Sequence, residues 1–237
     1  MQVPGVDYTE KFAPIASNTT ICLVLVITLF YKDEGWICKS VDIEAAFLEG
    51  RNKHPMYMEW PPGSIQLGYA TEAQVDKTCL LMEGNIYGNV DGALIFYTTY
   101  ANYLIQVLGM TRCRTDPCMF FLTNANGKPT LIASCHVDDT MVAGKLEAIA
   151  DFKERVKERF NIKELGELNK HLGIKYDWNE DEEGVKIEAS THDLAEEIVE
   201  IVEERKRGPV KLRNIPADPD PKGLMKNTGD IVDHQLY

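Results

Sequence analysis

Leu131-Ile-Ala-Ser-Cys-His-Val-Asp-Asp-Thr-Met-Val-Ala-Gly144 is the stretch whose reading decides the fold. Apolar, β-capable residues flank the adjacent acids Asp138 and Asp139, and a glycine closes the run. That pattern reads as a tight hairpin with two carboxylates at its tip. Like charges side by side repel, so a stable fold holds them together mainly when a cation sits between them. A divalent ion with oxygen ligands is the natural candidate. An Asp-Asp pair is also ordinary turn chemistry, because aspartate bonds its own backbone.

A third acid gives the pair a chemical context. In Trp36-Ile-Cys-Lys-Ser-Val-Asp-Ile-Glu-Ala-Ala-Phe-Leu-Glu-Gly50, residues 36–43 read as a strand and 45–48 as a short helix or turn. Asp42 then lies at a strand end, where it can meet an acidic hairpin tip from a neighbouring strand. Three carboxylates so placed can hold two Mg²⁺ ions about 3.5–4 Å apart, the arrangement used for phosphoryl transfer.

The 237 residues suffice for a real core, and the apolar fraction is ordinary for a soluble globular protein. The longest apolar run, Ile21 to Phe30, is too short to span a bilayer and reads as a buried helix. The six cysteines (Cys22, Cys38, Cys79, Cys113, Cys118 and Cys135) lack metal-ligand spacing and read as reduced intracellular thiols. The net charge of −12 is awkward for a nucleic-acid binder. Basic residues do cluster, in Lys153 to Arg159 and in Arg205-Lys-Arg207 with Lys211 and Arg213. Each cluster reads either as a solvated helix face or as a phosphate track.

Further elements follow from periodicity. Strands are expected over 119–123 and 130–143, joined by the turn Asn124-Ala-Asn-Gly-Lys128. Leu94, Tyr97, Tyr100, Ala101, Leu104, Val107 and Leu108 recur at helical spacing and read as core rather than a base-stacking platform. Leu146, Ile149, Phe152, Val156 and Phe160 line a second helix. Residues 173–178 and 185–189 form a hairpin across the acidic turn 179–184. Ser190-Thr-His-Asp193 offers a capping box for a helix over 194–205, stopped by Gly208-Pro209.

These blocks carry a family resemblance. Val137-Asp138-Asp139 resembles the Tyr-Val-Asp-Asp tip of copia-type retrotransposon reverse transcriptases. Val41-Asp-Ile-Glu-Ala-Ala-Phe-Leu-Glu-Gly50 is similar to that family's Asp-Val-x-x-Ala-Phe-Leu-x-Gly block. Asp7-Tyr-Thr-Glu-Lys-Phe-Ala-Pro-Ile-Ala16, Thr19-Thr-Ile21 and Met56-Tyr-Met-Glu-Trp-Pro-Pro-Gly63 resemble its earlier blocks. Ile86-Tyr-Gly88, Leu165-Gly-Glu-Leu168 and Leu172-Gly-Ile174 follow in the expected order. The resemblance runs from about Val6 to the C-terminus.

The resemblance implies an α+β right-hand polymerase fold, its palm an antiparallel sheet with helices. Fingers would comprise 1–37 and 51–79, the palm 38–50 and 80–145, and a palm and primer-grip region 146–189. A partial thumb would span 190–215, and 216–237 would link to a downstream domain. It implies RNA-directed DNA polymerase activity, with Asp42, Asp138, Asp139 and the Ile43 carbonyl holding two Mg²⁺ ions, or Mn²⁺ in their place. Phe47 would be the steric gate against a ribose 2′-hydroxyl, and Asp91 and Gly92 fall in the nucleotide-facing segment. His136 stands where the family has Tyr, and Lys163, Lys170 or Lys175 would protonate the pyrophosphate. Partners would be an RNA or DNA template with primer, dNTPs, and the rest of a polyprotein, with integrase upstream and ribonuclease H downstream. No membrane is implied, and the setting would be cytoplasmic, in a virus-like particle.

Departures concentrate around the nucleotide. Ser17 and Cys22 stand where the family commonly has cations, with Lys11 nearby but offset. Tyr87-Gly-Asn-Val-Asp-Gly-Ala-Leu-Ile-Phe96 places Asp91 at the family's Gln, and Val90 and Leu94 at its Lys and Arg. Each lost phosphate-facing cation would cost several kcal/mol of transition-state stabilisation. A second reading is therefore a silent remnant that keeps the fold and only binds nucleic acid or a partner. A metal-dependent nuclease or nucleotidyl cyclase fits the acids but not the Phe-Ala-Pro, Pro-Pro-Gly and Leu-Gly-Glu-Leu blocks.

Overall fold

The computed structural model describes residues 3, 5, 8, 10–52, 55–182 and 184–206, with Lys206 described by its backbone alone. Part of the opening block (Val6, Asp7, Thr9), Arg207, the stop at Gly208-Pro209, Lys211, Arg213 and the tail from Pro216 lie outside the described residues. In chain order the elements are α1 (Asn18–Phe30), β1 (Trp36–Ile43), β2 (Met56–Met58), α2 (Glu72–Val75), β3 (Leu80–Met82) and α3 (Gly92–Gln106). There follow β4 (Thr111–Arg112), β5 (Met119–Thr123), β6 (Pro129–His136), β7 (Asp139–Lys145) and α4 (Leu146–Lys157). Last come β8 (Ile162–Glu167), β9 (Lys170–His171), β10 (Ile174–Asp181), β11 (Gly184–Ser190) and α5 (His192–Lys206). A short 3-10 turn, Ala46–Glu49, follows β1.

The main sheet has six strands in the order β4-β5-β6-β7-β1-β8, all antiparallel. Alternation along each strand sends side chains to opposite faces. On one face Val41, Ile43, Leu131, Ala133, Cys135 and Val142 pack against α3 and α4. Phe96, Tyr100 and Leu104 of α3 and Ile149, Phe152 and Val156 of α4 recur at the three- and four-residue spacing that gives a helix one apolar face. On the other face Cys38, Ile132, Met141 and Ala143 meet Ile21, Val24 and Leu25 of α1, together with Leu168 and Tyr176. Each such large side chain fully withdrawn from water stabilises the fold by about 1.5–3 kcal/mol.

Helix α1 is buried only along the stripe Thr20, Ile21, Val24, Leu25 and Thr28, while Leu23, Val26 and Phe30 are exposed. The all-round apolar run had suggested full burial. The reason is that α1 covers one sheet face with nothing on its outer side among the described residues. Its start is fixed by Ser17, whose Oγ accepts from the Thr20 N–H at 3.1 Å. Asp116, in the turn before β5, accepts from the Ser17 N–H at 3.1 Å, the Cys118 N–H at 2.8 Å and the Thr20 hydroxyl. Ser17 is thus a cap held by a carboxylate.

Burial pushes the Asp116 carboxyl up, but the hydrogen bonds from Thr20, Cys118 and Ser17 outweigh it and leave it below its ordinary 3.8. A depressed native pKa stabilises the fold above the unfolded value, and that stabilisation is lost as pH falls through the native one. Asp116→Ala should cost about 3 kcal/mol in chemical denaturation at pH 7, because it orphans buried donors. Its deficit relative to wild type should shrink as pH drops below 3.8.

A separate three-stranded sheet, β11-β10-β9, carries the hairpin expected over the acidic turn, although Glu183 lies outside the described residues. Strand β8 has no apolar alternation and lies largely exposed. It forms because its backbone completes the open edge of β1, with a register irregularity at Ser40/Val41. The chain divides into two units, 1–190 and 191–237. In the second unit α5 begins at His192, two residues before the expected start, which puts Asp193 in its first turn, where the helix dipole favours a carboxylate.

Candidate functional site

The β6–β7 hairpin turns through Val137 and Asp138, the two residues between the strands. Val137 has φ +55°, a costly conformation for a β-branched residue, about 1–3 kcal/mol. The turn is held from outside, since the Asp138 carbonyl accepts from the Ile43 N–H at 3.0 Å. In the β1–β7 ladder Asp42 stands directly opposite Asp139. The sequence therefore delivers its three candidate acids to one end of one sheet. Directly opposed strand residues carry their Cβ atoms about 4.5–5.5 Å apart, so the separation of these carboxylates is a matter of side-chain rotation.

Electrostatics record the crowding. Burial first, then the charges of Asp138 and Asp139, push the Asp42 carboxyl above its ordinary 3.8, against a downward pull from Lys163. Asp139 is raised by burial and then by Asp138, while Ser40 and His136 oppose the shift. The Ser40 hydroxyl donates to Asp139 Oδ1 at 3.5 Å. This donor set, hard oxygens that disfavour one another's charge, is chemically suited to a divalent cation. Among the described residues no group of three or more His, Cys, Asp or Glu side chains is gathered closely enough to hold a metal ion. The fold juxtaposes the acids without closing them on a common point.

The nucleotide-side candidates lie beyond the tip. Phe47, in the 3-10 turn after β1, is half-buried with its ring 5.1 Å from that of Tyr87. A Cβ on Gly92 would stand 2.8 Å from Asn85 Nδ2 and 3.0 Å from the Phe47 ring, so only glycine lets α3 start this close to Phe47. Asp91 occupies the N-terminus of α3, its carbonyl accepting from the Ile95 N–H at 2.9 Å. An acid there is favoured by the helix dipole, which gives the departure at this position a structural rationale. Lys11 lines a groove with Val90, Ala93 and Val137, which brings this offset cation beside the hairpin tip. Cys22 is exposed on α1.

Of the three candidate lysines, Lys163 is the cross-strand neighbour of Asp42. Lys170 and Lys175 face each other across β9 and β10, and Lys175 pairs with Asp177 at 3.3 Å. The basic face of α4 is largely engaged by acids. Lys153 and Lys157 pair with Glu164, Arg155 with Asp151, and Arg159 with Glu49. That face matches the solvated-helix reading of the cluster better than a bare phosphate track.

One residue escaped sequence reasoning. His171 on β9 is 2 % exposed, with Nδ1 3.7 Å from Asp139 Oδ2. Burial first, and His136 second, push its imidazole down to about 4, so it is neutral at pH 7. Neither of its nitrogens has a hydrogen-bond partner, and the same holds for His136 Nδ1 and Ser134 Oγ. A histidine in the polar run Asn169-Lys-His gave no periodic signal.

Comparison with known proteins bears on this site. The model of the family described as reverse transcriptase (RNA-dependent DNA polymerase) matches residues 1–211. The chain is 29% identical over 174 residues to the retrovirus-related Pol polyprotein from transposon RE1 of Arabidopsis thaliana, covering 73% of this chain and 11% of that one. The corresponding polyprotein from transposon RE2 gives the same identity and coverage. That from transposon TNT 1-94 of Nicotiana tabacum is 26% identical over 175 residues, 73% of this chain and 12% of its own length. The chain thus spans about a ninth of these relatives. No solved structure matches it.

Proposed function

The chain belongs to the reverse transcriptase (RNA-dependent DNA polymerase) family, and from that premise we propose that it is the polymerase portion of a copia-type Pol polyprotein, extending a primer 3′-end with dNTPs on an RNA or DNA template. The observation that carries the proposal is the direct pairing of Asp42 with Asp139 beside the Asp138 turn. On this reading 38–50 and 80–145 are the palm, 1–37 and 51–79 the fingers, 146–189 the palm and primer-grip region and 190–215 the start of a thumb. Residues 216–237 lead toward a downstream ribonuclease H, with integrase upstream in a cytoplasmic particle.

Asp42, Asp138, Asp139 and the Ile43 carbonyl would hold two Mg²⁺ ions, with Mn²⁺ able to substitute. Bound there, the ions lower the pKa of the primer 3′-hydroxyl and stabilise the charge on the transferred phosphate. Phe47, steadied by Tyr87 and by the close approach of Gly92, offers its face to the sugar and excludes a 2′-hydroxyl. Lys11 and Lys163 supply positive charge near the tip, partly replacing the cations lost at Ser17, Cys22, Val90 and Leu94. Asp91 and Gly92 set the α3 N-terminus against the nucleotide.

The test is extension of a DNA primer annealed to RNA by the purified chain, and by a version continued through its downstream domain. Polymerisation dependent on Asp138 and Asp139 supports the proposal. Incorporation that survives their replacement sinks it. A second reading, retention of binding without polymerisation, is favoured by the replacement of phosphate-facing cations at Ser17, Cys22, Val90 and Leu94. It is the outcome if template–primer binds and no product forms.

Phe47→Val should raise acceptance of ribonucleotides over deoxyribonucleotides by roughly 10- to 100-fold, the range expected when a few methylene-sized contacts set the discrimination. The ratio of kcat/KM for matched rNTP and dNTP reads this directly, and an unchanged ratio removes Phe47 from the gate.

A further inference from the structure

We infer that His171 is a positioning residue for Asp139, its imidazole donating Nδ1–H to the carboxylate oxygen it already faces and so fixing how Asp139 presents itself to a divalent cation. The inference rests on the polymerase reading of the three aspartates and goes beyond it to a residue on a different sheet. The contact is specific: Nδ1 of a side chain 2 % exposed lies 3.7 Å from Asp139 Oδ2. The other carboxylate oxygen, Oδ1, faces the Ser40 hydroxyl at 3.5 Å. Asp139 is therefore approached by a polar group at each oxygen, both slightly beyond full hydrogen-bond length. A small side-chain rotation tightens them.

The cost of burying His171 supports the role. Both ring nitrogens lack hydrogen-bond partners, and an unpaired buried polar group destabilises a fold. An apolar side chain of similar size would suit the position better on packing grounds alone, because His171 lies beside Leu172 and Ile174, which pack on the core under α1. Hydrogen-bonded carboxylates around a bound cation are the ordinary means of orienting its ligands, and loss of such a partner typically weakens metal affinity 10- to 100-fold. A purely structural histidine would show the reverse: its loss would cost stability and leave cation binding alone.

The test is Mn²⁺ binding to the full chain, followed by electron paramagnetic resonance of the free ion, alongside thermal unfolding without metal. His171→Leu should raise the metal-free unfolding temperature and weaken Mn²⁺ binding 10- to 100-fold. His171→Asn, which keeps an N–H near the Nδ1 position, should bind within about threefold of wild type. Wild-type affinity in His171→Leu overturns the inference, as does equal weakening in both variants. Should either variant fail to fold, the wild-type His171 ¹⁵N resonances decide: a shift on Mg²⁺ titration is expected, and an unmoved pair overturns it. Asp138→Asn/Asp139→Asn separates this failure from that of the underlying reading. If that variant binds Mn²⁺ like wild type, or wild type binds none, the metal centre itself is wrong and the inference falls with it.

Discussion

Replacing Asp138 and Asp139 together by asparagine is expected to lower primer extension at least about 10³-fold, about 4 kcal/mol of transition-state stabilisation, while the metal-free protein becomes no less stable. The two effects have one cause. Asparagine keeps the size and the turn-forming capacity of aspartate but carries no charge. On the proposed reading, side chains without charge would not hold divalent ions against phosphate, and the activity would go. The same substitution removes the carboxylate at 139, raised by burial and then by Asp138, and it removes the repulsion that adds to burial in raising Asp42 above 3.8. A raised native pKa means that the protonated form favours folding below the unfolded pKa, and that this benefit is lost as pH rises through the native value. The stability advantage of the variant should therefore be largest near neutrality and vanish below about pH 3.8. Thermal unfolding across pH checks this, and a variant less stable than wild type at pH 7 would show that the acids stabilise the hairpin instead.

The largest stability effect is expected at Phe160, just beyond α4. Its ring is 1 % exposed and stands edge-on to Phe96, Tyr100 and Tyr103, with centroids 6.5, 5.4 and 5.3 Å away. It joins α3 to α4 at the end of the sheet that holds the aspartates. Phe160→Ala removes the transfer energy of the ring and leaves a cavity among rigid neighbours, for about 3–5 kcal/mol in urea unfolding. Phe160→Leu should cost clearly less, because it fills most of the volume. Equal losses would mean that the aromatic contacts, each about 0.5–1.5 kcal/mol, dominate over the cavity.

Local signals carried much of this molecule. Strand β1 was legible to the residue, because Trp36 to Ile43 is β-capable and Gly35 closes the turn before it. The β6–β7 hairpin was legible from apolar runs about two acids. The α3 stripe was read correctly at Tyr100, Ala101 and Leu104 but missed Phe96 and Ile95 and wrongly included Val107, which is exposed, since the continuous apolar run Ala93 to Tyr97 hides the helix's phase. Strand β8 was invisible, because its order comes from pairing with β1 and not from its own side chains. The Asp116–Ser17–Thr20 network and the meeting of His171 with Asp139 join distant parts of the chain, and nothing in either local stretch announces them. The candidate aspartates were singled out by pattern. Their pairing register required the fold.

The most direct measurement is incorporation of a single complementary dNTP onto a DNA primer annealed to RNA. It uses purified protein, with Mg²⁺ or Mn²⁺ against a chelator control. The expected result is a primer longer by one nucleotide, one pyrophosphate released per addition, and no product with chelator or with Asp138→Asn/Asp139→Asn. Tight template–primer binding with no extension under either metal, in the chain and in its downstream-extended form, would contradict the assignment of Asp42, Asp138 and Asp139 as a working polymerase centre.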